Sequence, residues 1–330
     1  MPNSGIIVYQ FSGFNSKRLT ILKFNAIIRT DHHVNNILRS DFMSSRIRLM
    51  THNIWNRDTN SPEWEATGDD CSAEARVGGL LRVYRETMPD IIGCQEASAL
   101  MADLLKTGFE DENSKYTLIW GRFTPIIYRA DKFELIDSEF GTYPEKIEGF
   151  KGSFNDVRSK SWNLGVFRAK ENGEVFIFAT THLWWKKDTT EPIFSDEARC
   201  QPRSDEAREL QLAMLLSKVS EYRKKYNCPG IVVGDMNTHY DSRAIQNALS
   251  LGYRHAHDIA TEYAEESDGL HFCYPWGFET KYSDQPFECA IDHILVIGEK
   301  EGSVKRFERY SPDYYFKISD HSAAYIDIEL

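Results

Sequence analysis

Six short apolar stretches of this sequence end in side chains that can bind a metal ion or a phosphate group. The residue types at these ends supply oxygen and nitrogen ligands, candidate general bases and hydrogen-bond donors. One polar residue after an apolar run is usually just the first solvated position, but six such endings in one chain indicate a shared site. The residues are Asn53 after Leu49–His52, Glu96 after Ile91–Gln95, His182 after Phe178–Thr181, Asp235 and Asn237 after Ile231–Gly234, Asp292 after Ile291, and Asp320 and His321 after Ile318.

These stretches belong to strands that alternate with helices from Arg46 onward, which predicts one α/β domain. Strand ends are where binding and catalytic groups collect in such proteins, because the sheet holds them rigidly. Hydrophobic periodicity predicts three helices: one through Val77, Leu80, Leu81 and Tyr84 that stops before Pro89, one over Ser204–Tyr226, and one near Ser242–Leu251. The predicted strands are Arg46–Asn53, Asp90–Gln95, Pro125–Tyr128, Phe133–Ile136, Trp162–Arg168, Val175–Thr181, Ile231–Val233, Ile291–Ile297 and Ala323–Leu330.

Local signals predict how some of these elements connect. Pro125–Tyr128 and Phe133–Ile136 are expected to be neighbouring strands joined by a turn at Arg129–Lys132, and Asn172-Gly173 predicts a hairpin between the two strands around it. Ser204 is expected to cap the long helix, whose buried stripe is Leu212, Leu215, Val219 and Tyr222. In the last strand Ala324, Ile326, Ile328 and Leu330 are expected to face inward, and Tyr325, Asp327 and Glu329 outward.

Composition is that of an ordinary globular protein, with 41% hydrophobic and 27% charged residues among 330. The net charge of −11 and the absence of a Lys/Arg-rich block count against duplex nucleic acid as the main partner. Six cysteines without metal-type spacing indicate reduced thiols, and no apolar run reaches the length of a membrane span. We therefore expect a cytoplasmic protein, and a monomer.

The first 42 residues differ from the rest of the chain. They carry five Lys/Arg and two Asp/Glu, which leaves a net charge of −14 on the remainder. Their pattern is only weakly periodic, and the stretch ends just before the first convincing strand. Residues 1–42 are therefore predicted to be a poorly ordered extension, with Met43 as an alternative start, and residues 43–330 to be the domain.

Three of the polar endings carry motifs that resemble those of the endonuclease/exonuclease/phosphatase superfamily, and they occur in its order. The motifs are Gln95-Glu96, Gly234-Asp235-Met236-Asn237 and Ser319-Asp320-His321. The resemblance covers about Arg46 to Leu330. It implies a four-layer α/β sandwich in which two mixed β-sheets pack face to face with helices outside.

The resemblance also implies a role for each residue. Glu96 would be the principal ligand of Mg²⁺ or Mn²⁺, and Asn53 and Asp320 are assigned to the same metal site. Asp235 would orient or deprotonate the attacking water, and Asn237 would donate an amide hydrogen bond to water or phosphate, both side chains pointing the same way if strand geometry persists. The remaining assignments are His321 on the scissile phosphate with Asp292 fixing its tautomer, and His182 as a phosphate contact or as the acid for the leaving oxygen.

The loop after His182 is the candidate substrate contact. Trp184, Trp185 and Lys186 could form a platform for stacking and charge, although the same residues could equally be loop packing. Trp55 and the Tyr274-Pro275-Trp276 segment raise the same question.

Taken together, the sequence predicts an enzyme that hydrolyses a phosphoester with a divalent metal ion and activated water, acting on a compact phosphomonoester or phosphodiester. A DNA or RNA nuclease of the same superfamily is the alternative, with nucleic acid a less favoured partner. A non-catalytic binding member is a further alternative, which loss of Glu96, Asp235 or His321 would have favoured; all three residues are present.

Overall fold

The computed structural model describes residues 46–66, 68–189, 199–264, 290–310, 312 and 314–330. The predicted extension at residues 1–42, with Met43, lies outside these ranges and stays a prediction. The Tyr274-Pro275-Trp276 segment lies outside them too.

Within the described residues there are thirteen strands and six α-helices. The strands are β1 (Arg46–Asn53), β2 (Ile91–Gln95), β3 (Tyr116–Ile119), β4 (Ile126–Arg129), β5 (Phe133–Thr142), β6 (Ser161–Ala169), β7 (Val175–His182), β8 (Gly230–Asp235), β9 (Arg254–His255), β10 (Glu262–Tyr263), β11 (Asp292–Ile297), β12 (Val304–Tyr310) and β13 (Ala323–Glu329). The helices are α1 (Pro62–Ala66), α2 (Ala73–Thr87), α3 (Ala99–Asp111), α4 (Ser204–Tyr226), α5 (Arg243–Ser250) and α6 (Ala256–Ile259), and a 3₁₀ turn covers Tyr315–Lys317.

The strands form two mixed sheets. One sheet has seven strands in the order β10-β12-β13-β1-β2-β4-β3, and the other has six in the order β5-β6-β7-β8-β11-β9. Each contains parallel and antiparallel neighbours: β1 runs parallel to β2 but antiparallel to β13, and β7 runs parallel to β8 but antiparallel to β6. The β6–β7 pairing confirms the predicted hairpin.

Three apolar clusters define four layers. The central cluster joins the inner faces of both sheets, with Leu49 and Ile326 from one and Phe178 and Val233 from the other. Helices α4 and α5 cover the outer face of the six-stranded sheet, and α2 and α3 cover the outer face of the seven-stranded sheet. The predicted sandwich of two face-to-face mixed sheets with outer helices is confirmed.

Covering helices also explain why one orientation prediction was wrong. Strand β13 points Ala324, Ile326 and Ile328 into the central core as expected, yet Tyr325 and Asp327 are also buried. Tyr325 packs in the cluster beneath α2 and α3, and Asp327 forms an ion pair with Arg48. The alternating side chains of β13 therefore point to two buried faces of the sheet. They do not divide into a buried face and a solvent-exposed face.

Two local predictions are also corrected. Strands β4 and β5 lie in different sheets, so the turn between them moves the chain from one sheet to the other and is not a hairpin. Ser204 does not cap α4, because its hydroxyl donates to the Gln201 carbonyl and accepts from Trp184 Nε1. The carboxylate of Asp188, from the preceding loop, accepts the backbone N–H groups at the start of the helix instead.

Candidate active site

Strand register places three of the candidate residues side by side in the six-stranded sheet. His182 at the end of β7 pairs with Asp235 at the end of β8, and Asp235 pairs with Asp292 at the start of β11. Apolar runs precede the first two residues because these strands are buried on both faces. The polar residues therefore emerge together at one edge of the sheet.

Residues from the seven-stranded sheet lie next to the three polar residues His182, Asp235 and Asp292. The amide of Asn53, at the end of β1, donates to Asp235 Oδ2 at 2.9 Å, and its Oδ1 accepts from the backbone of Trp55. Asn53 is fully buried and both ends of its amide are engaged within the protein. This geometry fits support of Asp235 better than the direct metal ligation that the resemblance implied for Asn53.

Glu96 follows β2 in the left-handed region, with φ of 59°. Trp55 and Asn237 at the same site also have positive φ, and the three are among ten such non-glycine residues in the described part of the chain. Left-handed backbone is unfavourable for side chains other than glycine and concentrates at functional sites. The Glu96 carboxylate accepts from the backbone of Asn56 at 2.9 Å, and its other oxygen lies 3.7 Å from His182 Nε2.

Asp235 is the hub of the site. Its Oδ2 accepts from Asn53 and lies 3.4 Å from His182 Nε2 and 3.8 Å from His321 Nε2, while Oδ1 accepts from the backbone N–H of Asn237. Burial, together with the neighbouring carboxylate of Asp292, raises the pKa of Asp235 to about 6. A carboxylate with this pKa is suited to accept a proton near neutral pH.

His321 and Asp292 form the expected pair. The imidazole Nδ1 of His321 donates to Asp292 Oδ2 at 2.7 Å, and Nε2 faces Asp235. Burial by itself lowers the pKa of His321, but the carboxylates of Asp292 and Asp235 outweigh it and raise the pKa well above its ordinary value. The His321 ring therefore carries a positive charge at neutral pH.

His182 has the opposite electrostatic character because of a lysine beside it. Lys160 is buried at the start of β6, and its ammonium donates to His182 Nε2 at 2.6 Å. Burial, with the positive charges of Lys160 and His321, lowers the pKa of His182 well below its usual value, so the ring is neutral and accepts at Nε2. Burial also lowers the pKa of Lys160, while Glu96 and Asp235 act in the other direction.

Lys160 is the main site residue that the motif reading did not assign. In the sequence Lys160 is one of several basic residues in a polar stretch between two strands. Lys160 differs from the others because its side chain is buried in the fold. The buried Asn155 side chain fixes that stretch by bonding to both the N–H and the carbonyl of Lys160.

Another unassigned residue, Arg76, holds the surrounding loops together. Its guanidinium is buried on α2 and donates to five carbonyl groups, including those of Ile54 and Ile318. Ser319 adds a hydrogen bond to the Asn53 carbonyl at 2.6 Å and accepts from the His321 N–H. These contacts connect the end of β1 to the segment that carries His321.

Asn237 corrects one orientation prediction. Strand geometry ends at Asp235, and the φ of 51° at Asn237 turns its side chain away from the alternation that period-two spacing would give. Its Nδ2 donates to the Leu183 carbonyl at 3.0 Å. Asn237 still lines the cleft together with Asp235.

A cleft of about 1070 Å³ opens above these residues. Its lining in the described part of the chain includes Glu96, Lys160, His182, Asp235, Asn237, Asp320 and His321 at the floor, and Trp55, Trp185, Lys186 and Lys187 further out. Among the described residues, seven Lys/Arg and six Asp/Glu line it, so this part of the lining is not acidic although the chain is.

Trp184 does not belong to this surface, and its assignment as a substrate platform was wrong. Its side chain is fully buried, packs against Phe154 and Ala207, and donates through Nε1 to Ser204. Trp185 is 37% exposed and lines the cleft, with Lys186 Nζ 5.6 Å from its ring centre. Arg208 has a structural role: it pairs with Asp205 and donates to the carbonyls of Trp184 and Lys186.

Two sets of side chains have the spacing of a metal site. Glu96, His182 and Asp235 offer ligand atoms within 4.8 Å of one another, and so do Asp235, Asp292 and His321. The first set fits a hard divalent cation better, because it supplies two carboxylates and a neutral imidazole, whereas His321 in the second is protonated. Asp320 lines the same cleft but belongs to neither set.

The comparison with known families agrees with this site. The sequence matches the Endonuclease/Exonuclease/phosphatase family over residues 50–321, which is most of the chain and includes all the residues assigned above. The protein belongs to the Endonuclease/Exonuclease/phosphatase family. Members of this family are phosphoester hydrolases and are generally dependent on divalent metal ions.

Solved structures share the fold at low sequence identity. An endonuclease/exonuclease/phosphatase family protein from Bacteroides thetaiotaomicron has a TM-score of 0.64 at 18% identity, covering 86% of this chain and 95% of its own. A mannosyl-6-phosphatase from the same organism has 0.62 at 19%, covering 86% and 100%. D. rerio TDP2, complexed with a single-strand DNA product, has 0.59 at 16%, covering 87% and 100%.

A search of curated proteins gives no significant match. Within the described residues, none of the helices is long and apolar enough to cross a membrane.

Proposed function

We propose that this protein hydrolyses a phosphoester bond with a divalent metal ion, Mg²⁺ or Mn²⁺, and a water molecule activated by Asp235. The observation that carries the proposal is the meeting of Glu96, His182, Asp235 and the Asp292–His321 pair at the floor of one cleft. Phosphoryl transfer requires positioned water and stabilised negative charge more than covalent chemistry, and these residues supply both needs.

Glu96 would hold the metal ion, with His182 beside it and Asp320 nearby in the cleft. When bound, the ion would neutralise charge on the phosphate group and lower the pKa of water. The left-handed backbone at Glu96 and the hydrogen bond from Asn56 fix the carboxylate at the floor, which supports this assignment.

Asp235 is the proposed base. Asn53 and the Asn237 N–H hold its two oxygens, so the carboxylate is oriented before the substrate arrives. Its raised pKa, about 6, lets it take a proton from water near neutral pH.

Positive charge for the phosphate group comes from two side chains. His321, kept protonated by Asp292, directs Nε2 toward Asp235 and would bind a phosphoryl oxygen. Lys160 supplies the second charge, and its hydrogen bond makes His182 a neutral acceptor. His182 therefore suits a positioning role, and we assign the donation of a proton to the leaving oxygen to Lys160.

The cleft favours a compact phosphomonoester or phosphodiester. Trp185 offers a partly exposed ring for its organic part, and Lys186 lies above that ring. A nuclease is the second candidate, supported by the basic residues that line the cleft. A non-catalytic role would leave the strained Glu96 and the buried Asp292–His321 pair without a purpose.

Cellular context is part of the proposal. Cys71, Cys94 and Cys228 are free and buried, which fits a reducing compartment, so we propose a cytoplasmic protein. We also propose that it acts as a monomer.

A panel of phosphomonoesters, phosphodiesters, single-stranded and duplex DNA, and RNA tests the reaction with Mg²⁺ and with Mn²⁺. We expect turnover of small phosphoesters and weak or absent cleavage of plasmid DNA. Efficient plasmid cleavage that falls steeply with salt would favour the nuclease instead. No hydrolysis of any member of the panel would contradict the proposed function.

A further inference from the structure

The loop after β7 holds two lysines, Lys186 and Lys187, on a fixed main chain at the cleft. Arg208 donates to the Lys186 carbonyl, and Gln211 accepts from the N–H of Trp184. The N–H and carbonyl of Lys187 pair with the backbone of residues 199 and 201. The main chain that carries both ammonium groups is therefore held by buried side chains and by backbone pairing. We call Lys186 and Lys187 the lysine pair.

Neither ammonium of the lysine pair has a carboxylate within 4.0 Å among the residues that the structure describes. Some other lysines, such as Lys132, Lys218 and Lys305, have carboxylate partners. Lys106 and Lys224 have none among the described residues either, but they lie away from the cleft, whereas the lysine pair lines it. An acidic chain offers more carboxylates than cations, so cations that stay unpaired at a cleft are available for another anion.

Three acidic residues that the structure describes around the loop after β7 already have hydrogen-bond or ion-pair partners. Asp188 accepts the N–H groups of Arg203 and Asp205, Asp205 pairs with Arg208, and Asp156 accepts from Trp185 Nε1. These contacts hold the three carboxylates, and none of them is paired with an ammonium of the lysine pair.

The lysine pair is also close in sequence to His182, which lies at the floor of the cleft. Lys186 comes four residues after His182, so its Cα lies at most roughly 14 Å from that of His182. A lysine side chain can cover several ångströms of this span, so one substrate could touch both places. Lys186 and Lys187 line the same cleft as His182 and Asp235.

We propose that the lysine pair binds a second phosphate group of the substrate, separate from the phosphate that is hydrolysed at the floor. This inference rests on the proposed function and narrows it: the substrate is a small molecule with at least two phosphate groups. The lysine pair binds the phosphate group that is not cleaved and so determines specificity, whereas Lys160 and His321 serve the phosphate that reacts.

Calorimetric titration of the full chain in EDTA tests the inference without turnover. The ligands are two matched pairs: AMP with adenosine 3′,5′-bisphosphate, and fructose 6-phosphate with fructose 1,6-bisphosphate. In at least one pair we expect the bisphosphate to bind at least about tenfold more tightly, because it adds charge-assisted hydrogen bonds.

Charge-removing and charge-keeping variants identify the residues. The Lys186→Gln/Lys187→Gln variant should abolish the preference for the bisphosphate, and Lys186→Arg/Lys187→Arg should keep it. Lys106→Gln/Lys224→Gln, two exposed lysines away from the cleft, is the matched control and should also keep it. Equal affinity within both ligand pairs, absence of bisphosphate binding, or a preference that survives Lys186→Gln/Lys187→Gln would overturn the inference.

Hydrolysis assays separate this inference from the proposed function. If the wild type binds the bisphosphate through the lysine pair but hydrolyses no phosphoester, the lysine pair stands and the proposed function fails. If the wild type hydrolyses monophosphates and bisphosphates with equal kcat/KM, and the Lys186→Gln/Lys187→Gln variant does the same, the proposed function stands. The proposed role of the lysine pair is then wrong.

Discussion

The floor of the cleft and one wall of the cleft differ in how their charged side chains are partnered. The floor includes His182 at the end of β7, and the wall is the loop that follows it, with Trp185, Lys186 and Lys187. At the floor, every charged group faces an opposite charge or a hydrogen-bond partner: Asp235 bonds to Asn53, and His321 bonds to Asp292. On the wall, Lys186 and Lys187 have no carboxylate partner among the described residues. The floor is buried and set by strand register, whereas the wall is partly exposed and set by loop contacts.

This difference separates reaction from recognition. Oriented, buried charges are worth most where a transition state develops, because water does not compete with them. Charges on partly exposed side chains at the wall are weakened by water and hold a substrate less strongly. We therefore expect floor variants to lower kcat and wall variants to raise KM.

The largest effects should come from the Asp292–His321 pair. Asp292→Asn and His321→Gln should each lower kcat by about 10³-fold, because either change removes the positive charge that faces Asp235. The double variant should be little worse than the poorer single variant, since residues that act as one unit are non-additive. Steady-state kinetics of the four proteins measures this coupling.

His239 supplies the control for that cycle, because it lines the cleft without contacting Asp292 in the described structure. His239→Gln should change kcat by less than about threefold and should combine additively with Asp292→Asn. Additive losses for Asp292→Asn and His321→Gln would mean that the two residues act independently.

A smaller loss is expected at Lys160. Lys160→Met keeps most of the aliphatic stem but removes the charge beside His182, so kcat should fall about 10²-fold with a lesser change in KM. Lys151→Met, at an exposed lysine, is the matched control and should stay within about twofold of wild type. Unchanged kcat in Lys160→Met, with an unchanged melting temperature, would remove Lys160 from the mechanism.

Substitution of the two adjacent tryptophans should have the smallest effects on activity. The Trp184 substitution tests packing, and the Trp185 substitution tests substrate binding. Trp184→Ala should lower the free energy of unfolding by about 3–5 kcal/mol, because the ring is fully buried. Trp185→Ala should change stability little and raise KM about 5- to 10-fold by loss of stacking. Chemical denaturation and steady-state kinetics measure both quantities. A raised kcat/KM, or a large loss of stability, in Trp185→Ala would contradict its role at the wall.

The floor was predictable from the sequence because its residues come directly after apolar strands. Burial on both faces makes β7 and β8 continuous apolar runs, so the first polar residue after each run marks the strand end. Asn53, Glu96, His182 and Asp235 are all found this way. The motifs also predicted the sandwich fold, since residues of the same family pattern appear in order along the chain.

The wall was harder to predict, because contacts distant in sequence decide which of its residues are exposed. Trp184 and Trp185 are adjacent and chemically identical, but Phe154 and Ser204 enclose the first and not the second. In the sequence Lys160 cannot be distinguished from its basic neighbours. Its backbone position is fixed by a hydrogen bond to Asn155, a contact that the sequence does not reveal. For the same reason, the outer helices bury Tyr325, and Asp327 is buried in an ion pair with Arg48, where alternation had predicted exposure.

Metal dependence tests the central claim most directly. Hydrolysis of the best small phosphoester should be measured for the wild type and Glu96→Gln in EDTA and over a titration of Mg²⁺ or Mn²⁺. We predict no turnover in EDTA and full recovery with metal for the wild type. Glu96→Gln should need more metal and remain about 10²-fold slower at saturation. Full wild-type activity in EDTA, or a Glu96→Gln variant that matches the wild type at every metal concentration, would contradict the account.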